Sequence, residues 1–126
     1  MSKKTIKTDR APAAIGPYSQ AVVANGLLFT SGQLPIDPET GKILDGSIED
    51  KAHKVFKNLE AIAKAAGTTL DNAVKTTVYL ADIGNFQAVN QVYAQYFKEP
   101  YPARSAFQVA ALPLGADVEV EAIFQL

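Results

Sequence analysis

The sequence predicts an α+β fold in which two helices cover one face of a sheet of about six strands. Segments with alternating or β-branched apolar residues, typical of strands, lie on both sides of two segments with helical periodicity. The predicted order is strand, strand, helix, strand, helix, strand, strand, which favours this class. The 126 residues contain no repeat and no linker, so we expect a single domain over residues 1–126.

A β-hairpin is predicted near the start of the sheet. Residues 21–24 and 27–31 are the two strands, and Asn25-Gly26 between them is the strongest short signal for a two-residue hairpin turn. Residues 9–18 and 35–46 are rich in Pro, Gly or Asp, and we expect both segments to be irregular.

The first helix is predicted to begin after Ser47. This serine is a suitable N-cap, and Asp50 follows three residues later in the capping-box position. Apolar residues then recur on one helical face up to Ala66, and Gly67 fits the left-handed position that ends a helix. His53 lies off the apolar face, so we expect its side chain to be exposed.

A strand over residues 74–80 and a second helix from about Asn85 to Phe97 follow. The strand carries β-branched residues, and the helix has apolar residues at helical spacing. Asn90 lies on the flank of the apolar helix face, where an amide needs hydrogen-bond partners. Two interpretations of Asn90 stay open: a structural amide that holds a loop, and a residue of a binding site.

The chain ends in two predicted strands, one that includes Phe107–Ala110 and one over Val118–Leu126. We expect these strands to pair as an antiparallel hairpin. Val, Phe and Thr side chains remain on the sheet face that two helices cannot cover. Because an uncovered apolar face is typical of an interface between subunits, the sequence predicts a homo-oligomer.

Composition argues against several classes of function. The net charge is −1, with 12 basic and 13 acidic residues, whereas nucleic-acid-binding proteins usually carry a basic excess. The absence of cysteine and the single histidine predict that there is no metal site. Apolar segments are shorter than a signal peptide or the roughly 18 residues of a membrane span require. We expect a cytoplasmic protein without nucleic-acid or membrane partners.

Arg104 raises the question of what its guanidinium faces. Arginine is rarely buried without a partner, and its planar group suits a carboxylate held by two parallel hydrogen bonds. That carboxylate could belong to this protein, in a structural ion pair at a strand end, or to a ligand.

Glu119 and Glu121 share one face of the last predicted strand. The expected hairpin brings Glu119 towards Phe107 or Gln108 rather than directly opposite Arg104, although Glu119 and Arg104 could still border one cleft. An arginine and a carboxylate at one cleft can act as a substrate clamp beside a general base. The alternative is a solvated strand edge with alternating charges.

Five segments, in this order, carry a resemblance to a known family. They are Ile15–Gln20 (IGPYSQ), Thr30–Pro35 (TSGQLP), Phe86–Asn90 (FQAVN), Pro102–Ser105 (PARS) and Val118–Ala122 (VEVEA). Over about residues 5–124 the chain resembles the reactive intermediate deaminase family of the RidA or YjgF type, also labelled endoribonuclease L-PSP. The resemblance implies a chorismate-mutase-like fold and a homotrimer with a central β-barrel and clefts between subunits.

The resemblance also implies a reaction. It is the hydrolysis of reactive 2-imino and enamine acids, such as 2-aminoacrylate and 2-iminopropanoate, to 2-keto acids and ammonia, with no cofactor and no metal. Glu119 matches the position that activates water, Arg104 would clamp the substrate carboxylate, and Glu121 matches a more structural position. The remaining residues implied in substrate binding are Tyr18, Ser31, Gly32, Asn90 and Ala106.

The sequence departs from many members of this family at Ala106, where they have cysteine. The thiol is therefore lost, while the backbone N–H of residue 106 is still available to a substrate. Two alternatives to a deaminase stay open. One is a non-enzymatic, regulatory trimer that binds 2-keto acids, and the other is a translation-inhibiting endoribonuclease.

Overall fold

The structure, a computed structural model, describes residues 2–126. Short 3₁₀ turns precede the fourth strand, the second helix and the last strand. The regular elements are β1 (Lys4–Ile6), β2 (Ala21–Ala24), β3 (Leu27–Thr30), α1 (Ile48–Ala65), β4 (Ala73–Leu80), α2 (Phe86–Tyr96), β5 (Ala103–Gln108) and β6 (Val118–Gln125).

The strands form a mixed six-stranded sheet in the order β1-β2-β3-β6-β4-β5. Neighbouring strands are antiparallel except β4 and β5, which run parallel. Parallel pairing requires a crossover connection, which α2 provides. The predicted α+β class, with about six strands and two helices, is confirmed. Strand β1 was missing from the sequence prediction because it is only three residues long.

The predicted antiparallel hairpin of the last two strands is wrong. β6 lies between β3 and β4, so β4 separates β6 from β5. Glu119 is in register with Tyr79 of β4, and Tyr79 is in register with Phe107 of β5. The physical reason is that the crossover through α2 places β5 on one edge of β4. The other edge of β4 stays free to pair with β6.

Helix α1 begins at the predicted N-cap and packs on the sheet. The N–H of Asp50 donates to Ser47 Oγ at 3.1 Å, and the N–H of Ser47 donates to Asp50 Oδ2 at 3.4 Å. One side of the helix is buried against β6, and complete burial of a large apolar side chain contributes about 1.5–3 kcal/mol. Fully buried core residues include Val55, Phe56, Leu59, Ile62, Val118, Val120 and Phe124.

The helices leave the second face of the sheet uncovered. Phe29 and Phe107 on this face are 41% and 44% exposed. Thr77 and Ile123 lie beside Phe29 in a shallow depression. The uncovered apolar face predicted from the sequence is therefore present. Within residues 2–126, neither helix combines the length and the apolar character needed to cross a membrane.

Candidate active site

Glu119 borders a cavity of about 580 Å³ at one end of β6. The predicted site residues Tyr18, Ser31 and Gly32 line the same cavity. Its other walls come from the loop before β2, the segment after β3 and the turn before β6. Most of these wall residues are apolar: Pro12, Ala13, Ile15, Leu34, Ile36, Pro38, Pro113 and Leu114.

Gly32 lies directly against the carboxylate of Glu119. A Cβ atom at position 32 would overlap Glu119 Oε2 and would lie 2.8 Å from Glu119 Cδ. The φ of Gly32 lies outside the left-handed region, so the close approach, rather than the backbone conformation, requires glycine here. Gly32 therefore shapes the site by making room for the Glu119 side chain.

Hydrogen bonds fix the segment that carries Ser31 and Gly32. Ser31 Oγ donates to the carbonyl of Ser19 at 2.6 Å, and the Ser31 N–H donates to the carbonyl of Gln20 at 2.9 Å. Gln33 forms two backbone hydrogen bonds with Val120, at 2.8 and 3.1 Å. The segment is thus held between β2 and β6. The oxygen of Ser31 can still accept a hydrogen bond from a ligand.

Burial raises the pKa of Glu119 above the ordinary value of a glutamate, and the charge of nearby Glu121 raises this pKa further. Tyr79, in register with Glu119, also has a raised pKa, mainly through burial and then through the charge of Glu121. A carboxylate with a raised pKa is a stronger base once it is ionised, which suits proton transfer from water.

Two buried amides hold the walls of the cavity, and the sequence interpretation missed both. Gln20 Nε2 donates to the carbonyls of Thr8 and Pro12 at 2.9 and 2.8 Å. Asn58 Nδ2 donates to the carbonyls of Leu34 and Ile36 at 3.2 and 3.0 Å. A signal for Asn58 was present, because it lies on the apolar stripe of α1, where a polar residue needs a specific partner.

Arg104 lies at a different place, in a pocket of about 410 Å³ beside α2. Its Nη1 donates to Asn90 Oδ1 at 2.6 Å. The guanidinium carbon lies 4.7 Å from the ring centroid of Tyr93 and 5.3 Å from that of Phe86. The structure therefore brings Arg104 and Asn90 together.

Arg104 and Glu119 do not border one cleft within a single chain. Arg104 is in register with Thr76 of β4, whose side chain is buried on the helix-covered face. Glu119 alternates with the buried residues Val118 and Val120, so it faces the opposite side of the sheet. Ala106, two residues after Arg104 in β5, has the same facing as Arg104.

His53 is not the exposed residue that the sequence predicted. Its side chain is partly buried, and its Nδ1 lies 2.8 Å from the hydroxyl of Tyr96 on α2. The apolar stripe of α1 did not predict this burial, because α2 covers part of the flank of α1 that was expected to face solvent. Across the described residues 2–126, no group of three or more His, Cys, Asp or Glu side chains could hold a metal ion.

These features define a small α+β protein with two separate candidate sites, the Glu119 cavity with its carboxylate and the Arg104 pocket with its guanidinium. The sequence profile of the family described as "Endoribonuclease L-PSP" matches residues 8–125. A human relative named 2-iminobutanoate/2-iminopropanoate deaminase is 50% identical over 121 residues, which are 96% of this chain and 88% of the human protein. The chloroplastic Reactive Intermediate Deaminase A of Arabidopsis thaliana is 52% identical over 126 residues, which are 100% of this chain and 67% of the relative.

Solved structures agree with these sequence relatives. RidA from the Antarctic bacterium Psychrobacter sp. is 48% identical, with a TM-score of 0.93 over 98% of this chain and 99% of that chain. E. coli TdcF with bound serine is 41% identical, with a TM-score of 0.92 over 98% of each chain. The chain therefore belongs to the reactive intermediate deaminase family, and its fold is the YjgF-type fold that the resemblance implied.

Proposed function

We propose that this protein hydrolyses 2-imino acids, together with the enamines that tautomerise to them, to 2-keto acids and ammonia. One observation carries the proposal. A partly buried carboxylate with a raised pKa, Glu119, borders a cavity in a chain that is 50% identical to a relative named 2-iminobutanoate/2-iminopropanoate deaminase. The 2-imino acids formed from serine and threonine, 2-iminopropanoate and 2-iminobutanoate, are the substrates we propose.

The chemistry needs a base for water and a cation for the substrate carboxylate. Glu119 takes a proton from water as the water oxygen bonds to the imine carbon, which gives a tetrahedral carbinolamine. Glu119 returns that proton to the nitrogen, and the proton of the new hydroxyl then also passes to the nitrogen. The C–N bond breaks, and ammonia leaves as the carbonyl forms. General-base assistance of this kind is worth about 10²–10⁴-fold in rate. Arg104 binds the carboxylate, at about 1.5–3 kcal/mol for hydrogen bonds to charged groups.

We place the reaction between two copies of the chain in a homotrimer. Among the described residues, the Glu119 cavity is lined by a carboxylate and no Lys or Arg, whereas the Arg104 pocket is lined by a cation and no acid. We call the Glu119 cavity and the Arg104 pocket half-sites, because each has the charged group that the other lacks. In this arrangement Tyr18, Ser31, Gly32 and Glu119 of one subunit meet Asn90, Arg104 and Ala106 of the next. The uncovered sheet faces are buried in the trimer interior.

The reaction is tested by generating 2-aminoacrylate with a serine dehydratase and measuring the release of ammonia and pyruvate. We expect the pure protein to accelerate the release, and we expect Glu119→Gln and Arg104→Ala to lose most of the acceleration. Lys64→Ala, on the exposed side of α1, serves as the control with unchanged activity. No acceleration by the wild-type protein, or full activity of the Arg104→Ala variant, would contradict the assignment.

The shared site is tested by mixing the two inactive variants after unfolding and refolding them together. In a mixed trimer of Glu119→Gln and Arg104→Ala chains, one of the three interfaces combines an intact Glu119 with an intact Arg104. Random assembly of equal amounts therefore restores about one quarter of the wild-type activity. No recovery of activity would show that the two residues act within the same subunit or not together.

The family description leaves an endoribonuclease as the second candidate. The acidic isoelectric point of about 5.8 does not favour an RNA-binding surface. RNA cleavage that requires Arg104 and weakens steeply with salt would favour this candidate. Tight binding of 2-keto acids without turnover would instead favour a regulatory trimer.

A further inference from the structure

We propose that Phe86 and Tyr93 form an aromatic platform that positions Arg104 to bind the carboxylate of the substrate. The proposal rests on the deaminase function in assigning that ligand. Nothing in the reaction itself requires these two residues, because neither ring reaches the Glu119 cavity. Their role is inferred from how the guanidinium is held.

The platform follows from the spacing of residues on α2. Phe86, Asn90 and Tyr93 lie at positions i, i+4 and i+7, so they share one face of the helix. This face lies over the pair Thr76 and Arg104, which are in register on the parallel strands β4 and β5. The crossover from β4 through α2 to β5 therefore brings both rings and the amide to one guanidinium.

The geometry favours an oriented but available cation. The guanidinium carbon lies 4.7 Å from the centroid of Tyr93 and 5.3 Å from that of Phe86, both within the range of cation–π attraction. Asn90 accepts one of the five N–H bonds of the group. In residues 2–126, Arg104 forms no salt bridge. Since rings and an amide hold the group without neutralising it, its charge remains free for an anion.

Tyr93 is itself fixed, which gives the platform a defined position. The side chain is 6% exposed, and its hydroxyl lies 2.8 Å from Oγ1 of the fully buried Thr76. The rings of Phe56 and Phe97 pack against Tyr93 with centroid distances of 5.6 and 4.4 Å. The exposed Arg104 side chain thus rests on a residue that belongs to the core.

The composition of the chain makes the platform directly observable by NMR. Arg10 and Arg104 are the only two arginines, so arginine labelled with ¹⁵N and ¹³C gives two sets of side-chain signals, and Arg104→Ala assigns them. A side chain that lies over two aromatic rings has upfield-shifted Hδ resonances. We expect the Arg104 signals to be shifted in this way and the Arg10 signals to lie at ordinary positions.

Three variants distinguish the effect of the Tyr93 ring on Arg104 from a general effect on α2. Tyr93→Leu should move the Arg104 signals towards those of Arg10 and raise KM by about 2- to 30-fold while kcat changes little. Tyr93→Phe keeps the ring and should keep most of the shift. Tyr96→Leu makes the same change one turn away on α2, near His53 and not Arg104, and controls for general loosening of the helix.

The outcome distinguishes this inference from the deaminase proposal. Unchanged Arg104 signals in Tyr93→Leu, or the same KM in Tyr93→Leu and Tyr96→Leu, would overturn the platform. Titration with pyruvate, the product, should move the Arg104 signals and leave those of Arg10 in place. If the protein deaminates nothing but the shifts depend on Tyr93 and respond to pyruvate, the deaminase proposal fails and the positioning of Arg104 for a carboxylate stands.

Discussion

The two half-sites are held in place by different means. Glu119 belongs to an interior strand of the sheet, is partly buried, and lies against the backbone of Gly32. Arg104 belongs to the edge strand β5, is exposed, and rests on the rings of α2 and on Asn90. The carboxylate is thus positioned by backbone packing and burial, whereas the guanidinium is positioned by other side chains.

Because of this difference, the two half-sites should respond differently to amino-acid substitutions. A larger residue at position 32 would push the flexible end of the Glu119 side chain out of its place, so the carboxylate would be lost from its position in one step. A site fixed by side-chain packing fails by degrees, because a replaced ring or amide leaves the remaining contacts in place. Displacement of the Glu119 carboxylate should therefore have a larger effect on turnover than replacement of a single group around Arg104.

The largest effect is expected from Gly32→Ala. The new methyl group overlaps the Glu119 carboxylate and displaces it, so kcat should fall towards that of Glu119→Gln, by about 10²–10⁴-fold. Steady-state kinetics measures the loss. The double variant Gly32→Ala/Glu119→Gln should be no worse than Glu119→Gln alone, because both changes remove the same base. Additive losses would show that Gly32 acts by another route.

Arg104→Lys should have the next largest effect. Lysine keeps the charge but loses the planar fork that binds a carboxylate in two places and stacks on the rings of Phe86 and Tyr93. We expect kcat/KM to fall by about 10- to 100-fold, mainly through KM. Arg10→Lys provides the matched control with no change in kinetics. A lysine variant with wild-type KM would show that the charge alone is sufficient.

The fold class was predictable from local patterns in the sequence, whereas the grouping of Tyr18, Ser31 and Gly32 with Glu119 was implied only by the resemblance to a family. Alternation along the last strand placed Glu119 and Glu121 on one face, and Asn25-Gly26 located the first hairpin. The surroundings of Arg104 were not predictable in this way. They depend on the parallel pairing of β4 and β5, which brings Thr76 and Arg104 into register although they are far apart in sequence.

The wrong predictions have the same origin, namely contacts between segments that are far apart in the sequence. A strand, a helix and a strand in succession are compatible with a parallel crossover, but periodicity does not tell whether β5 pairs with β4 or with β6. The common cleft expected for Arg104 and Glu119 depended on that choice. His53 and Asn58 were misjudged or missed because their partners, Tyr96 and the carbonyls of Leu34 and Ile36, belong to other segments.

A smaller effect is expected from Asn58→Ala, which tests how the wall of the Glu119 cavity is supported. The change leaves two carbonyls without their buried donor, and the loss of such bonds costs about 1–3 kcal/mol in the free energy of unfolding. Urea denaturation at fixed protein concentration measures it. Asn72→Ala, which removes an exposed amide bonded to Thr68, is the control and should cost less. Equal losses would show that Asn58 does not support the wall in particular.

The smallest effect, and the one that tests the electrostatics of the base, is expected from Glu121→Gln. The charge of Glu121 contributes to the raised pKa of Glu119, although burial contributes more. Removing this charge favours the ionised form of Glu119, so its pKa should fall but stay above the ordinary value of a glutamate. Because Glu119 must be ionised to accept a proton from water, the acidic limb of the profile of kcat/KM against pH should move to lower pH.

The comparison with the wild-type protein isolates this shift, since any titration of the imine substrate is the same for both proteins. Asp71→Asn, an exposed residue in the 3₁₀ turn before β4, removes one charge near the opposite end of β6 and should leave the acidic limb in place. A limb that is unmoved in Glu121→Gln would mean that a group other than Glu119 titrates in the rate. A limb that moves to higher pH would mean that Glu121 stabilises the ionised base through a contact that outweighs the repulsion. The sign of the shift therefore decides whether Glu121 tunes the base through charge repulsion or through a direct contact.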